Sequence, residues 1–150
     1  MKKITPLLAM AVLILTGPTA CAADSRQEEI NKKNVIEFYD KAINQKDFEA
    51  ASKYLGPKYI QHNPMAADGP EGLKSFLEFA RTNLPDYHTE FKRVFADGDY
   101  VIVHALAKRN AQDRGSAVID IFRLENGKVV EHWDVVQPIP EKANNSNGMF

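Results

Sequence analysis

The chain has 150 residues, of which 44% are hydrophobic, and a formal net charge of −1. This length corresponds to one ordinary domain with a core and room for one pocket. The near-neutral charge, without any cluster of basic residues, argues against binding to nucleic acid.

The N-terminal segment has the features of a secretory signal peptide. Two lysines precede an apolar run from Ile4 to Leu15, and residues 20–22 match the A-x-A cleavage rule. We therefore predict removal of residues 1–22. Residues 23–150 would remain as a single domain, with a net charge of −3 because the two lysines are lost.

This signal predicts a periplasmic or secreted protein. Cleavage also removes Cys21, the only cysteine, so the mature domain would hold together without a disulfide. A lipid anchor on Cys21 is the alternative, although Pro18 stands where lipoprotein signals usually carry leucine. The apolar run is too short to span a bilayer, and no second hydrophobic segment predicts a membrane span.

Three helices are predicted in the first half of the chain. Apolar residues recur at helical spacing over about residues 25–44, and a short second helix covers residues 47–54. "KYIQHNP" follows as a short extended segment that Pro64 stops. A third helix has Pro70 near its start and ends before Pro85.

From Tyr87 onward the hydrophobic period changes from helical to two, which is typical of strands. The predicted strands cover residues 87–96, 99–109, 115–124 and 128–137, with an Asn-Gly hairpin turn before the last. Helices followed by strands in hairpin succession predict an α+β domain, in which a curved antiparallel sheet carries the helices on one face. The polar, Asn-rich C-terminal tail has no predicted element.

The hairpin loops suggest which polar residues face one another. A loop centred on Gln112 places His104 directly opposite Asp120, and such cross-strand pairs share a face of the sheet. An imidazole beside a carboxylate is a candidate acid–base pair. The same pair would also serve as a buried hydrogen-bonded pair with a structural role only.

The last hairpin raises a second question of register. Centring its turn on Asn126-Gly127 places Trp133 opposite Asp120, so Trp133 is predicted to line a pocket. His132 and Asp134 then fall on the reverse face, where a rim or interface role is expected. One β-bulge would exchange these two residues with Trp133.

Both faces of the predicted sheet are largely apolar. One face carries Val101, Val103 and Ala105, and the other carries Ile102, Leu106, Val118 and Phe122. Because three helices can cover only one face, we expect the outer face to pack against a second copy of the chain as a homodimer.

The order helix–helix–"YIQHNP"–"GPEGLKSFL"–strands–"IDIFRLENGKVVEHWDVVQ" resembles the SnoaL-like polyketide cyclase family. That family has the nuclear transport factor 2-like cone fold, which it shares with ketosteroid isomerase, scytalone dehydratase and limonene epoxide hydrolase. The resemblance covers essentially all of the chain after the signal. It implies that the sheet is cone-shaped, with the three helices packed on its concave face.

The resemblance also implies roles for individual residues. Tyr39 matches the oxyanion-hole tyrosine of ketosteroid isomerases. Asp120 matches the isomerases' second oxyanion-hole acid and the acid/base aspartate of SnoaL-type cyclases, beside which those cyclases have a histidine that His104 resembles. The catalytic carboxylate of the isomerases is missing, because His62 or Asn63 stands at its position.

Together these features predict a pocket for a small apolar or carbonyl-containing molecule and cofactor-independent aldol-type cyclisation or isomerisation. Asp120 would act as base, His104 would orient it, and Tyr39 or His62 would donate to the oxyanion. Residues expected to contact the substrate are Trp133, Phe122, Phe76, Asn63, His132 and Asp134. We expect no metal ion or organic cofactor.

Two other functions remain open from the sequence. The first is a periplasmic ligand-binding protein of the same fold without turnover, which secretion favours. The second is a metal site, although none of the four histidines has a compact H-x-x-x-H spacing.

Overall fold

The computed structural model describes residues 19–150, with side chains from residue 24 onward. Most of the predicted signal peptide, and the side chain of Cys21, lie outside the described residues. The helical elements are α1 (Thr19–Tyr39), a single π-helical turn (Asp40–Asn44), α2 (Phe48–Ser52) and α3 (Gly69–Asn83). The three predicted helices are thus present, with α1 ending in the π-helical turn.

Local sequence features explain where these helices begin and what they bury. Asp47 caps α2 by accepting a hydrogen bond from the backbone N–H of Ala50 at 2.9 Å. Pro70 lies in the first turn of α3, where its missing N–H costs nothing. The buried stripes are Val35, Phe38 and Tyr39 of α1, and Leu73, Leu77 and Ala80 of α3.

The sheet contains five strands: β1 (Leu55–Gln61), β2 (His88–Asp97), β3 (Tyr100–Lys108), β4 (Ser116–Glu125) and β5 (Lys128–Pro138). Their order is β1-β5-β4-β3-β2. The hairpin-linked strands β2 to β5 are antiparallel, whereas β1, the "KYIQ" segment, pairs parallel to β5. The helices pack on the inner face of this curved, unclosed sheet, which confirms the predicted α+β fold class.

The predicted register between β3 and β4 is wrong by one residue. Asp120 pairs with Val103, and His104 pairs with Ile119. Eight residues separate the paired Ala107 and Ser116, so the loop is centred between Ala111 and Gln112 and not on Gln112. Because side chains alternate along a strand, this one-residue shift turns His104 away from Asp120 onto the outer face.

The predicted register between β4 and β5 is also wrong beyond the turn. A β-bulge at Val130 shifts the pairing, so that Asp134, and not Trp133, lies opposite Asp120. His132 and Asp134 therefore project from the inner face, and Trp133 projects from the outer face. This is the exchange that a bulge was expected to produce.

The two faces of the sheet are consequently composed differently from the prediction. Val101, Val103 and Ala105 are fully buried under the helices. They share one face of the sheet, as the sequence predicts. Val118 and Phe122 join them on this inner face, which corrects their expected grouping with Ile102 and Leu106. The outer face leaves large apolar side chains exposed, among them Phe95, Ile119 and Val135.

Candidate functional site

A cavity of about 280 Å³ opens between the helices and the inner face of the sheet. Its aromatic walls are Phe38, Tyr39, Tyr59, Phe76, Tyr87 and Phe122. The polar side chains that line it are Gln61, Asn63, Asp120, His132 and Asp134. A mostly apolar cavity with a few convergent polar groups is typical of small-molecule sites, and this volume is at the lower end of their range.

Asp120 lies at the buried end of the cavity and is only 3% exposed. Its Oδ1 is 3.0 Å from Nε2 of His132, whereas no group among residues 24–150 has hydrogen-bonding geometry to its Oδ2. Burial raises the pKa of the Asp120 carboxyl, and the neighbouring His132 and Tyr39 only partly oppose this shift. Asp120 is thus a buried proton acceptor or donor. Its Oδ1 contacts His132, its Oδ2 has no partner with hydrogen-bonding geometry in the described part of the chain, and the nearby Tyr39 hydroxyl stabilises its charged form.

Gln61 determines which nitrogen of His132 carries a proton. The Gln61 Oε1 accepts a hydrogen bond from the backbone N–H of Asn63 at 2.9 Å, which identifies this atom as the amide oxygen. The same oxygen is 3.1 Å from Nδ1 of His132. Since an amide oxygen only accepts, Nδ1 must be the donor, and the contact between Nε2 and Asp120 then contains a single shared proton.

The tyrosines of the cavity are hydrogen-bond donors. Burial is the main cause that raises the pKa values of Tyr39, Tyr59 and Tyr87, so their hydroxyls remain protonated at neutral pH. The Tyr59 oxygen accepts from Nε2 of Gln61 at 3.3 Å, which leaves its own proton available to a ligand.

Asp134 completes the polar end of the cavity. Its Oδ2 accepts a hydrogen bond from Nδ2 of Asn63 at 2.7 Å. One ligand atom from each of Asp120, His132 and Asp134 lies within 4.8 Å of the others, so these three residues could hold a divalent cation. Two of them are, however, already hydrogen bonded to each other.

Three residues predicted for the site lie elsewhere. His62 stacks on Trp133 with ring centroids 4.6 Å apart, and its Nε2 contacts Oε1 of Glu131 at 2.8 Å. His104 stacks on Phe150 with centroids 5.3 Å apart. Neither histidine lines the cavity, and neither does Trp133. The register differences described above account for His104 and Trp133, whereas His62 alternates with Gln61 and Asn63, which do line the cavity.

The structure brings the other predicted residues together at the cavity, namely Tyr39, Asn63, Phe76, Asp120, Phe122, His132 and Asp134. Sequence reasoning missed Tyr59, Gln61 and Tyr87. Tyr59, Gln61 and Asn63 alternate along β1 and just beyond its end. A period-two pattern was therefore present and would have placed all three on one face if β1 had been assigned to the sheet.

The role of Gln61 can be tested by Gln61→Leu. We expect the free energy of unfolding to fall by about 1–3 kcal/mol, because the buried Nδ1–H of His132 loses its acceptor. ¹⁵N NMR of the imidazole should show Nδ1 protonated in the unchanged protein and a mixture of tautomers in the variant. Gln112→Leu, in an exposed loop, is the matched control. An unprotonated Nδ1 in the unchanged protein would contradict the assignment.

The fold is found in several solved structures of low sequence identity. TsrD from Streptomyces laurentii aligns with a TM-score of 0.60 and 20% identity over 71% of this chain and 87% of that one. An NTF-2-like protein of unknown function from Burkholderia xenovorans LB400 aligns with a TM-score of 0.63 and 17% identity, over 78% of this chain and 90% of that one. A SnoaL-like protein of unknown function from Burkholderia thailandensis E264 aligns with a TM-score of 0.61 and 18% identity, over 73% of this chain and 95% of that one.

Similarity at these identities shows the fold alone. No curated protein matches the sequence. The family model described as SnoaL-like polyketide cyclase, however, matches residues 33–142, which include the end of α1, the whole of α2 and α3, and all five strands. The chain therefore belongs to the SnoaL-like polyketide cyclase family.

Proposed function

We propose that this protein is a cofactor-independent enzyme that removes a proton next to a carbonyl group and promotes cyclisation or isomerisation of the resulting enolate. The observation that carries the proposal is the buried Asp120 carboxyl. It lines a mostly apolar cavity, contacts His132 through Oδ1, and has no partner with hydrogen-bonding geometry at Oδ2 within residues 24–150. Family membership supports the same class of reaction.

The chemistry assigns one role to each polar group. With the shared proton on His132, Oδ2 of Asp120 removes a proton from the carbon beside the carbonyl. The Tyr59 hydroxyl donates a hydrogen bond to the enolate oxygen that forms. In a cyclisation the enolate carbon attacks a second carbonyl of the same molecule. A C–C bond forms, the π bond of that carbonyl breaks, and the resulting alkoxide takes the proton from Asp120. In an isomerisation the enolate takes the proton back from Asp120 at another position.

We further propose that the protein acts outside the cytoplasm as a homodimer. The N-terminal pattern of charged, apolar and small residues supports export, and the exposed side chains of Phe95 and Val135 on the outer sheet face support self-association. Within residues 19–150, no helix combines the length and the apolar character needed to cross a bilayer.

The alternative is a ligand-binding protein of the same fold without turnover, which the apolar walls of the cavity would serve equally well. Exchange of the α-protons of β-tetralone in D₂O, followed by ¹H NMR, separates the two functions. An enzyme of the proposed class should accelerate exchange in proportion to protein concentration. Binding of β-tetralone without faster exchange would leave only the ligand-binding function.

A further inference from the structure

The cavity contains two acidic side chains and one histidine, and the histidine is hydrogen bonded to one of the acids. Asp120, His132 and Asp134 are its ionisable residues apart from the tyrosines, and no lysine or arginine lines it among residues 24–150. Asp120 is the most buried of these three residues, and its Oδ2 has no partner with hydrogen-bonding geometry among the residues that the structure describes. The cavity therefore has acceptors for a ligand but no cation to neutralise a negative one.

The net negative charge of the cavity comes from Asp134. Asp120 and His132 share one proton, so that this pair is neutral as a whole in either position of the proton. The Asn63 amide that bonds Asp134 is a dipole and leaves the charge of the Asp134 carboxylate in place. Asp134 is half-buried, and a second negative charge in this space would be repelled at short range.

The basic residues of this region belong to a different surface. Arg109 and Arg114 line the neighbouring cleft, which meets the cavity at Tyr87 and Val136. Arg109 is already paired with Asp113, its Nε lying 3.0 Å from Oδ2. Neither arginine lines the cavity in which Asp120 lies.

We propose that the cavity admits uncharged and positively charged compounds and excludes carboxylates and phosphates, and that Asp134 is the residue that sets this selection. The inference rests on the proposed function for the identity of the site and extends it by naming the charge class of the substrate. It is measured by binding alone, so its outcome is independent of whether the protein accelerates proton exchange.

The test uses three compounds with the same two-ring scaffold: methyl 2-naphthoate, 2-naphthoate and 2-naphthylmethylamine. We expect calorimetric titration to show that the carboxylate binds at least about tenfold more weakly than the ester and the amine. In Asp134→Asn the difference in affinity between the ester and the carboxylate should narrow to less than about threefold.

Asp97→Asn is the matched control, since it removes the same charge from the exposed β2–β3 turn at the far end of the sheet. Asp97→Asn should leave the difference in affinity between the ester and the carboxylate unchanged. The proposal is overturned if the carboxylate binds the unchanged protein as tightly as the ester, if Asp134→Asn and Asp97→Asn affect this difference equally, or if neither the ester nor the amine binds.

Discussion

Replacement of Asp120 by asparagine should reduce β-tetralone proton exchange by about 100- to 10,000-fold, the range of a general acid–base group. The folded structure should survive the change. Asparagine has the shape of the aspartate, and its amide can donate to Nε2 of His132, whose Nδ1–H is held by Gln61. The thermal midpoint at neutral pH should therefore stay equal to that of the unchanged protein or rise above it.

The difference in thermal midpoint between Asp120→Asn and the unchanged protein should depend on pH, because the pKa of Asp120 is raised in the folded protein. In the unfolded chain the carboxyl ionises at its ordinary value of about 4, whereas in the folded protein burial moves the pKa upward. The stabilisation from this group is complete below the unfolded pKa and is lost as pH rises through the folded pKa. The midpoint of Asp120→Asn relative to the unchanged protein should thus increase with pH above about 4.

His104→Ala provides the control for both measurements. The resemblance to SnoaL-type cyclases implied that His104 assists Asp120, but in the structure it lies on the outer face against Phe150. Its removal should leave proton exchange within about twofold of the unchanged protein. If His104→Ala abolished exchange, or if Asp120→Asn retained full exchange, the assignment of Asp120 and His132 as the acid–base pair would be wrong.

Phe122→Ala should produce the largest loss of stability, about 3–5 kcal/mol of unfolding free energy. The Phe122 ring is 1% exposed and connects the core to the site. It makes edge contacts with Phe38 and Tyr39, with each pair of centroids 6.0 Å apart, and it stacks on His132 at 4.7 Å. Its removal would open a void beside the acid–base pair and remove these contacts together.

Urea unfolding measures this effect, with Phe95→Ala as the matched control. Phe95 is the same residue type on the outer face and is 56% exposed, so its truncation should cost less than about 1 kcal/mol. A homodimer through the outer face would increase that cost and make it depend on protein concentration. Equal losses for the two variants in the monomer would contradict the placement of the core.

The helices and hairpins were predictable because their signals are local. Apolar residues at helical spacing indicated α1 and α3, and the Asn126-Gly127 pair indicated the last hairpin, where both residues have positive φ values of 52° and 75°. Family resemblance, carried by motifs along the whole chain, indicated the cone fold. Asp120 and Tyr39 were expected at the site for the same reason, and both line the cavity.

The partner of Asp120 was not predictable, because it depends on register. A β3–β4 loop with an even number of residues turned His104 outward, and a bulge at Val130 turned His132 inward. Each is a shift of one residue, which reverses every side chain beyond it while leaving the hydrophobic pattern of each strand intact.

By itself, the sequence determined the fold class, the order of the elements and a candidate acidic residue that lines the cavity, since these depend on periodicity, turn chemistry and motif. Only the tertiary structure decided that His132, Gln61 and Tyr59 surround that acid. Their convergence requires the parallel pairing of β1 with β5. That pairing joins segments about 70 residues apart in the chain, and no local pattern encodes contacts at that separation.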